Sequence, residues 1–371
     1  MTTQVAGAEG ADVGDHSTVR PYRPSWADAL VGWIERLPGP TWAAYIVLAV
    51  LSVAFIALEA ALSSRGLFGQ DPAYFGYAFF HIYALAAYYY LSRGAVAAWD
   101  AFRPATGLDD VSAQRLRLDL STTPARPAAV LYVVGAVGFL AMMTMAPQGF
   151  DLVGHQPAFV ALRVLSEAFW LAPVAGLLGY LLFRQLRIVS QLHRSVVTVD
   201  LLKPGPLHAM STLTARSAIV LLLPQLLVVL APLPNLSESV RLMFNAVLLP
   251  FIGLSVAAFF LPLRGMHTLL EADKVRLQSE VSSRIKSTVA TLHDVVDQEA
   301  VPTRDAESSR LSQVRIDALN KALASLLQER EFNARFSTWP WDTSTLRAVL
   351  SAFALPIVLF VLTTAIDRLL L

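Results

Sequence analysis

The residues with most chemical potential in this sequence are ionisable or strongly polar side chains set inside long apolar runs. They are Glu59, His81, Arg163, Glu167 and Asn245. Such groups are costly in hydrocarbon, so a membrane segment that carries one invites a functional reading. Carboxylates and an imidazole exchange protons or hold cations. Arg163 and Glu167 are four residues apart, the spacing at which two side chains meet on one face of a helix. Glu59, Arg163, Glu167 and Asn245 are expected in one slab of the outer half of a membrane bundle, with His81 nearer the middle. One reading makes this slab a water-accessible polar pocket linked to a proton or a cation. The other pairs Glu167 with Arg163 and lets Glu59 reach outward to the headgroups, with His81 hydrogen-bonded to a neighbouring tyrosine.

Other chemistry has no foothold. The chain has no cysteine, hence no disulfide, thiolate metal site or cysteine nucleophile. There is no GxxxxGK[ST] phosphate loop and no HExxH, and no histidine has a second ligand at metal-binding spacing. No catalytic residue, metal or cofactor is assigned. A net charge of +1 speaks against a nucleic-acid binder driven by phosphate neutralisation.

The elements that hold these residues are written in the hydropathy. The chain is 55% hydrophobic and only 15% charged, with a mean hydropathy of +0.52, too apolar for an ordinary soluble domain. Seven runs are long enough to cross a bilayer: 41–62, 73–92, 127–146, 161–183, 217–235, 240–262 and 346–366. Prolines 173, 224, 250 and 356 interrupt four of them, and such breaks free backbone groups. Of the 29 Lys and Arg residues, 25 fall on the side that alternation assigns to the N-terminus. Positive residues are retained on the cytoplasmic side, so the N-terminus is expected inside and the C-terminus outside, in a plasma or inner membrane.

Five regions follow. Residues 1–24 are polar and aperiodic, as in a disordered cytoplasmic tail. Residues 25–40 read as an interfacial amphipathic helix, with Ser25 and Asp28 at capping-box spacing and Trp26, Leu30, Trp33, Ile34 and Leu37 on its apolar face. Residues 41–262 make a six-span bundle. Residues 263–338 form a cytoplasmic insert, and 339–371 hold the seventh span and an outer C-terminus.

The insert is charged but neutral, with eleven basic and eleven acidic residues between 264 and 336. Leu270, Leu277, Val281, Ile285, Val289, Leu292 and Val296 recur at helical spacing, as do Leu311, Val314, Leu319, Leu323, Leu326 and Leu327. Pro302 and small polar residues lie between the two stripes, where a turn is expected, with Ser308 and Ser309 as helix-cap candidates. The pattern predicts an antiparallel, coiled-coil-like hairpin packed through Leu277, Val281, Ile285, Leu292, Leu319, Leu323 and Leu326. The stretch Pro262–Val275, directly after a span, resembles the start of the HAMP linkers of bacterial receptors. The second helix returns to the membrane and no output domain follows, so the chain is not assigned to that family.

The sequence thus predicts an all-α polytopic membrane protein of seven transmembrane helices, with the hairpin between helices six and seven. Its expected role is non-enzymatic: a scaffold or signal-transmitting protein whose partners are the bilayer and, through the hairpin, a cytoplasmic protein or a second copy. The alternative is a small-solute or ion transporter that uses the polar slab.

Overall fold

The computed structural model describes residues 22–70, 72–148, 150–192, 194, 205–230, 250–299 and 306–370. The tail to residue 21, Asn245 and residues 300–305, where a turn with Pro302 is expected, lie outside them. The described residues form ten main helices and no strand. They are α1 (Trp26–Ile34), α2 (Thr41–Leu62), α3 (Tyr77–Phe102), α4 (Asp110–Ser121) and α5 (Ala125–Met145). Then come α6 (Pro157–Leu192), α7 (Gly205–Leu230), α8 (Pro250–Gln298), α9 (Ala306–Ala334) and α10 (Thr343–Leu370).

Five helices are long and apolar enough to cross a membrane: α2, α5, α6, Gly205–Pro224 within α7, and α8. The chain is an all-α protein with the composition of an integral membrane protein. Val130, Val133, Val134, Val137 and Met142 of α5, and Ile46, Val47, Val50 and Leu51 of α2, are exposed. In water so many contiguous exposed aliphatic side chains would be an association hazard, whereas lipid is their natural solvent.

The expected second span coincides with α3, which is not among those five. Its surroundings explain the lower apolarity. α3 packs against α1, α2, α4, α6 and α7. Ala84, Leu85, Tyr88, Leu91, Ala95, Ala98, Trp99 and Phe102 form a buried stripe along it at three- and four-residue steps. A helix enclosed by its neighbours can keep alanines and tyrosines where a lipid-facing helix carries valine and leucine. Close approach is also visible between α5 and α6, where a Cβ on Gly135 would stand 3.4 Å from the backbone of Ala172 and Pro173.

The Ser25–Asp28 capping box forms as expected, each side chain bonded to the other's backbone N–H. The helix it starts does not present its whole apolar face to lipid. Ala27, Val31 and Ile34 are buried in the core shared with α3 and α6, while Trp33 and Leu37 are exposed. Asp28 also accepts bonds from the Tyr88 hydroxyl at 2.7 Å and the Thr123 N–H at 3.1 Å. The preceding segment pairs with the loop before α5, Ser25 N–H to Thr123 O and Ala125 N–H to Arg23 O. Tyr22 lies under the Arg184 guanidinium, which also pairs with Asp119. Burial raises the Tyr22 pKa, and its bond with Thr122 and the nearby Arg184 oppose that shift.

Beyond Pro262, α8 continues out of the bundle and α9 packs along it. Their directions are opposed, since Lys274 near the start of the outer part of α8 donates to the carbonyls of Ala334 and Phe336 at 2.8 and 2.7 Å. Val281 and Val295 are buried; Leu277, Ile285 and Leu292 are half-buried, as are Ile316, Leu319, Leu323 and Leu326 across from them. The seven residues expected in the seam are all buried or half-buried, whereas four other residues of the two apolar stripes, Val296, Leu311, Val314 and Leu327, are exposed. Val295 and Ile316 take over, because a seam between two helices is a narrow stripe that repeats every 3.5 residues. The apolar face of each helix is wider than that seam.

Candidate functional site

Three of the five polar residues expected inside spans, Glu59, Arg163 and Glu167, are brought into contact, and a fourth, His81, lies on a helix tied to the same part of the bundle. Glu59 comes from the last turn of α2, His81 from the start of α3, and Arg163 and Glu167 from the first half of α6. Asn245 lies outside the described residues.

Arg163 is the centre. Its Nη1 is 3.0 Å from Glu59 Oε1, and its Nε is 2.6 Å from Glu167 Oε1. The helical pair between Arg163 and Glu167 is therefore present. The expectation that Glu59 reaches outward fails: Glu59 is 0% exposed and faces the arginine. A carboxylate one turn from a helix end can reach water only if nothing nearer offers a charge, and Arg163 offers one.

Tyr74 is the member that sequence reasoning missed. It sits in the short turn Pro72–Gly76 that leads into α3, and its hydroxyl donates to Glu59 Oε1 at 2.7 Å. Its ring lies 5.4 Å from the Arg163 guanidinium carbon, within cation–π range. The signal was faint. A tyrosine beside a span normally marks headgroup depth, and nothing in DPAYFGY says that this one turns inward.

The backbone of α6 is wound differently here. Glu167–Leu171 is one turn of π-helix, with the Ala172 N–H bonded back to Glu167 O. Pro173 provides the cause. It has no N–H, so the Phe169 carbonyl four residues earlier loses its usual donor. The Tyr132 hydroxyl of α5 takes that place at 2.9 Å. The proline break thus sets the turn that carries Glu167, and such single π turns recur at functional sites. On the same turn, Trp170 donates through Nε1 to the His81 carbonyl at 2.8 Å, tying α6 to α3.

His81 does not bond a tyrosine as expected. Its side chain is buried, and neither ring nitrogen has a hydrogen-bond partner among the described residues. Beyond the cluster, Phe159 is fully buried one turn before Arg163 and packs against the His155 ring at 4.3 Å. His155 in turn pairs with Asp151 at 3.3 Å, and Asp151 with Arg65.

No protein-family model, curated protein or solved structure matches this chain. The functional reading rests on its own residues.

A second polar assembly lies at the base of the paired outer helices. His267 stacks on Trp339 at 4.0 Å, Trp339 on Trp341 at 4.4 Å, and Trp341 on Phe259 at 5.4 Å. His267 Nδ1 is 2.9 Å from the Thr338 carbonyl. This stack joins α8, inside and outside the bundle, to the segment that enters α10. There Asp342 caps α10, accepting from the Thr345 N–H at 2.7 Å, and this bond holds its carboxyl below the usual range. Two polar clefts are also present, one between the end of α3 and α4, lined by Asp100, Arg103, Asp110 and Arg117, and one along the end of α9, from Ser325 to Phe332 and on to Arg335 just past it. Neither touches the arginine cluster.

Proposed function

We propose that the protein is a seven-span integral membrane protein of the plasma or inner membrane, with α3 and α10 among the spans. In this reading the N-terminus is cytoplasmic and the C-terminus outside. The outer parts of α8 and α9 form a cytoplasmic hairpin that docks a second copy or a partner protein and passes its position to the bundle. The role is scaffolding or signal transmission, not catalysis.

The observation that supports this most is the unbroken course of α8. It runs from Pro250, among the apolar residues, to Gln298 at the far end of the outer pair, through only one tighter turn at Leu261–Leu263. At 1.5 Å rise per residue such a helix is about 70 Å long and joins the two regions directly. The Lys274 bonds and the His267–Trp339–Trp341 stack lock the returning segment to its base, so tilt at the far end is carried to α8 and α10 together. The exposed Val296, Leu311 and Val314 lie near that far end and offer an apolar contact outside the seam.

Leu311→Asp/Val314→Asp spares the seam and removes that contact. We expect the detergent-solubilised protein to lose mass by light scattering if the hairpin binds a second copy. If it binds another protein, affinity capture should lose that protein instead. If both measurements match the unaltered chain, docking through this surface is wrong. Orientation is checked with single cysteines in this cysteine-free chain: a residue at Ser64 should react with an impermeant thiol reagent from outside, and one at Ser325 should not.

The transporter reading draws on the buried Glu59–Arg163–Glu167 cluster. It predicts solute uptake by proteoliposomes that Glu167→Gln abolishes, and wild-type vesicles without uptake would discard it.

A further inference from the structure

Glu59 and Glu167 bring two carboxylates to a single guanidinium, and all three side chains are at most 6% exposed. With both carboxylates ionised, these three side chains would together carry one net negative charge. A surplus charge that cannot reach water is among the most costly things a protein interior can keep. Among the described residues, the groups shown against these three side chains do not supply the missing positive charge. From α2 comes only Glu59, from the Pro72–Gly76 turn Tyr74, and from α3 His81, while α5 packs against the π turn with no charged residue after Arg126. Arg65, the next cation along from α2, is engaged with Asp151 at the surface.

A second observation points the same way. Glu59 Oε2 is buried and has no hydrogen-bond partner among the described residues, although Oε1 has two. Both ring nitrogens of His81 are in the same condition, at 5% exposure. A carboxylate oxygen left bare in an apolar interior is unfavourable, whereas a carboxylic acid O–H removes the charge that makes it so. No three His, Asp or Glu side chains among the described residues are grouped as a metal ion requires.

We propose that the Glu59–Arg163–Glu167 cluster is a proton-binding site within the membrane spans, holding one exchangeable proton on its two carboxylates. Binding turns one carboxylate into a carboxylic acid and leaves the other paired with Arg163, so the occupied cluster is neutral. The proposal does not depend on what the hairpin binds.

The test is infrared spectroscopy of the full chain in lipid bilayers at neutral pH. The wild type should show a protonated carboxylic acid C=O stretch that shifts in heavy water. That band should be lost in Glu59→Gln and equally in Glu167→Gln, since either amide leaves one carboxylate balanced by Arg163 and no proton is required. Both variants keep the volume and the charge balance of the occupied site, so they should insert and fold. A wild type without such a band overturns the proposal, needing no variant, and so does a band that survives unchanged in both variants. Loss of the wild-type band when potassium is exchanged for sodium would show an alkali cation in the proton's place, which also overturns it.

Discussion

Arginine and glutamate four residues apart occur both in the bundle and on the outer helix pair, and the two settings give the same pairing opposite meanings. Arg163–Glu167 has side chains 6% and 6% exposed, whereas Arg284–Glu280 has 60% and 54%. On the outer helices the ions remain hydrated, and the pair is worth about 0.3–0.5 kcal/mol. In the bundle neither ion has water to fall back on, so each is held by its partners or not at all. The difference teaches that the spacing makes a pair available, and that burial decides whether the fold depends on it.

The largest expected effect breaks the buried side of that comparison. Arg163→Gln leaves the two carboxyl groups of the cluster without their cation and should destabilise by about 3–5 kcal/mol. The yield of monodisperse protein and its thermal unfolding in detergent read this directly. Next comes the seam of the outer helices. Leu323→Asp puts a charge where the two helices meet and should cost about 2–4 kcal/mol, seen as protease sensitivity of α8 and α9 while the bundle stays inserted. Leu311→Asp, at a residue 69% exposed, should leave protease resistance unchanged. If the two behave alike, the described register is wrong.

Asp28 is intermediate. Asp28→Ala removes the capping box of α1 and the acceptor for Tyr88 and Thr123, for an expected loss of about 1–2 kcal/mol by thermal unfolding. Arg284→Gln should change stability by less than about 0.5 kcal/mol, and raised salt should hide even that. The smallest effect is the acid limb of α10. The Asp342 carboxyl lies below its ordinary value of 3.8, so its contribution is complete above that pH and is lost as the pH falls through the lower folded-state value. Asp342→Asn should flatten that limb slightly in acid unfolding followed by circular dichroism.

Much of this architecture was legible in order of residues. Apolar runs of membrane length, the Ser25–Asp28 cap and the two stripes of the outer helices are local patterns, and hydrophobicity and helical period act locally. The Arg163–Glu167 pair was legible for the same reason. The seam was legible only in part. Leu319, Leu323 and Leu326 belong to it, but a stripe of apolar residues has two edges, and only the partner helix selects which edge it covers. That choice left Leu311, Val314 and Val296 outside.

Sequence alone, then, determined that this is a helical membrane protein with rare charged residues inside its apolar runs, because the cost of placing a residue in lipid depends on its type. Only the tertiary structure decided what those charges do. Glu59 and Arg163 are 104 residues apart, and Tyr74 comes from a turn between them. Their meeting depends on how α2, α3 and α6 pack, and on the π turn that Pro173 permits. No spacing along the chain encodes such a meeting, because the contact energy arises only when separate helices have already found one another.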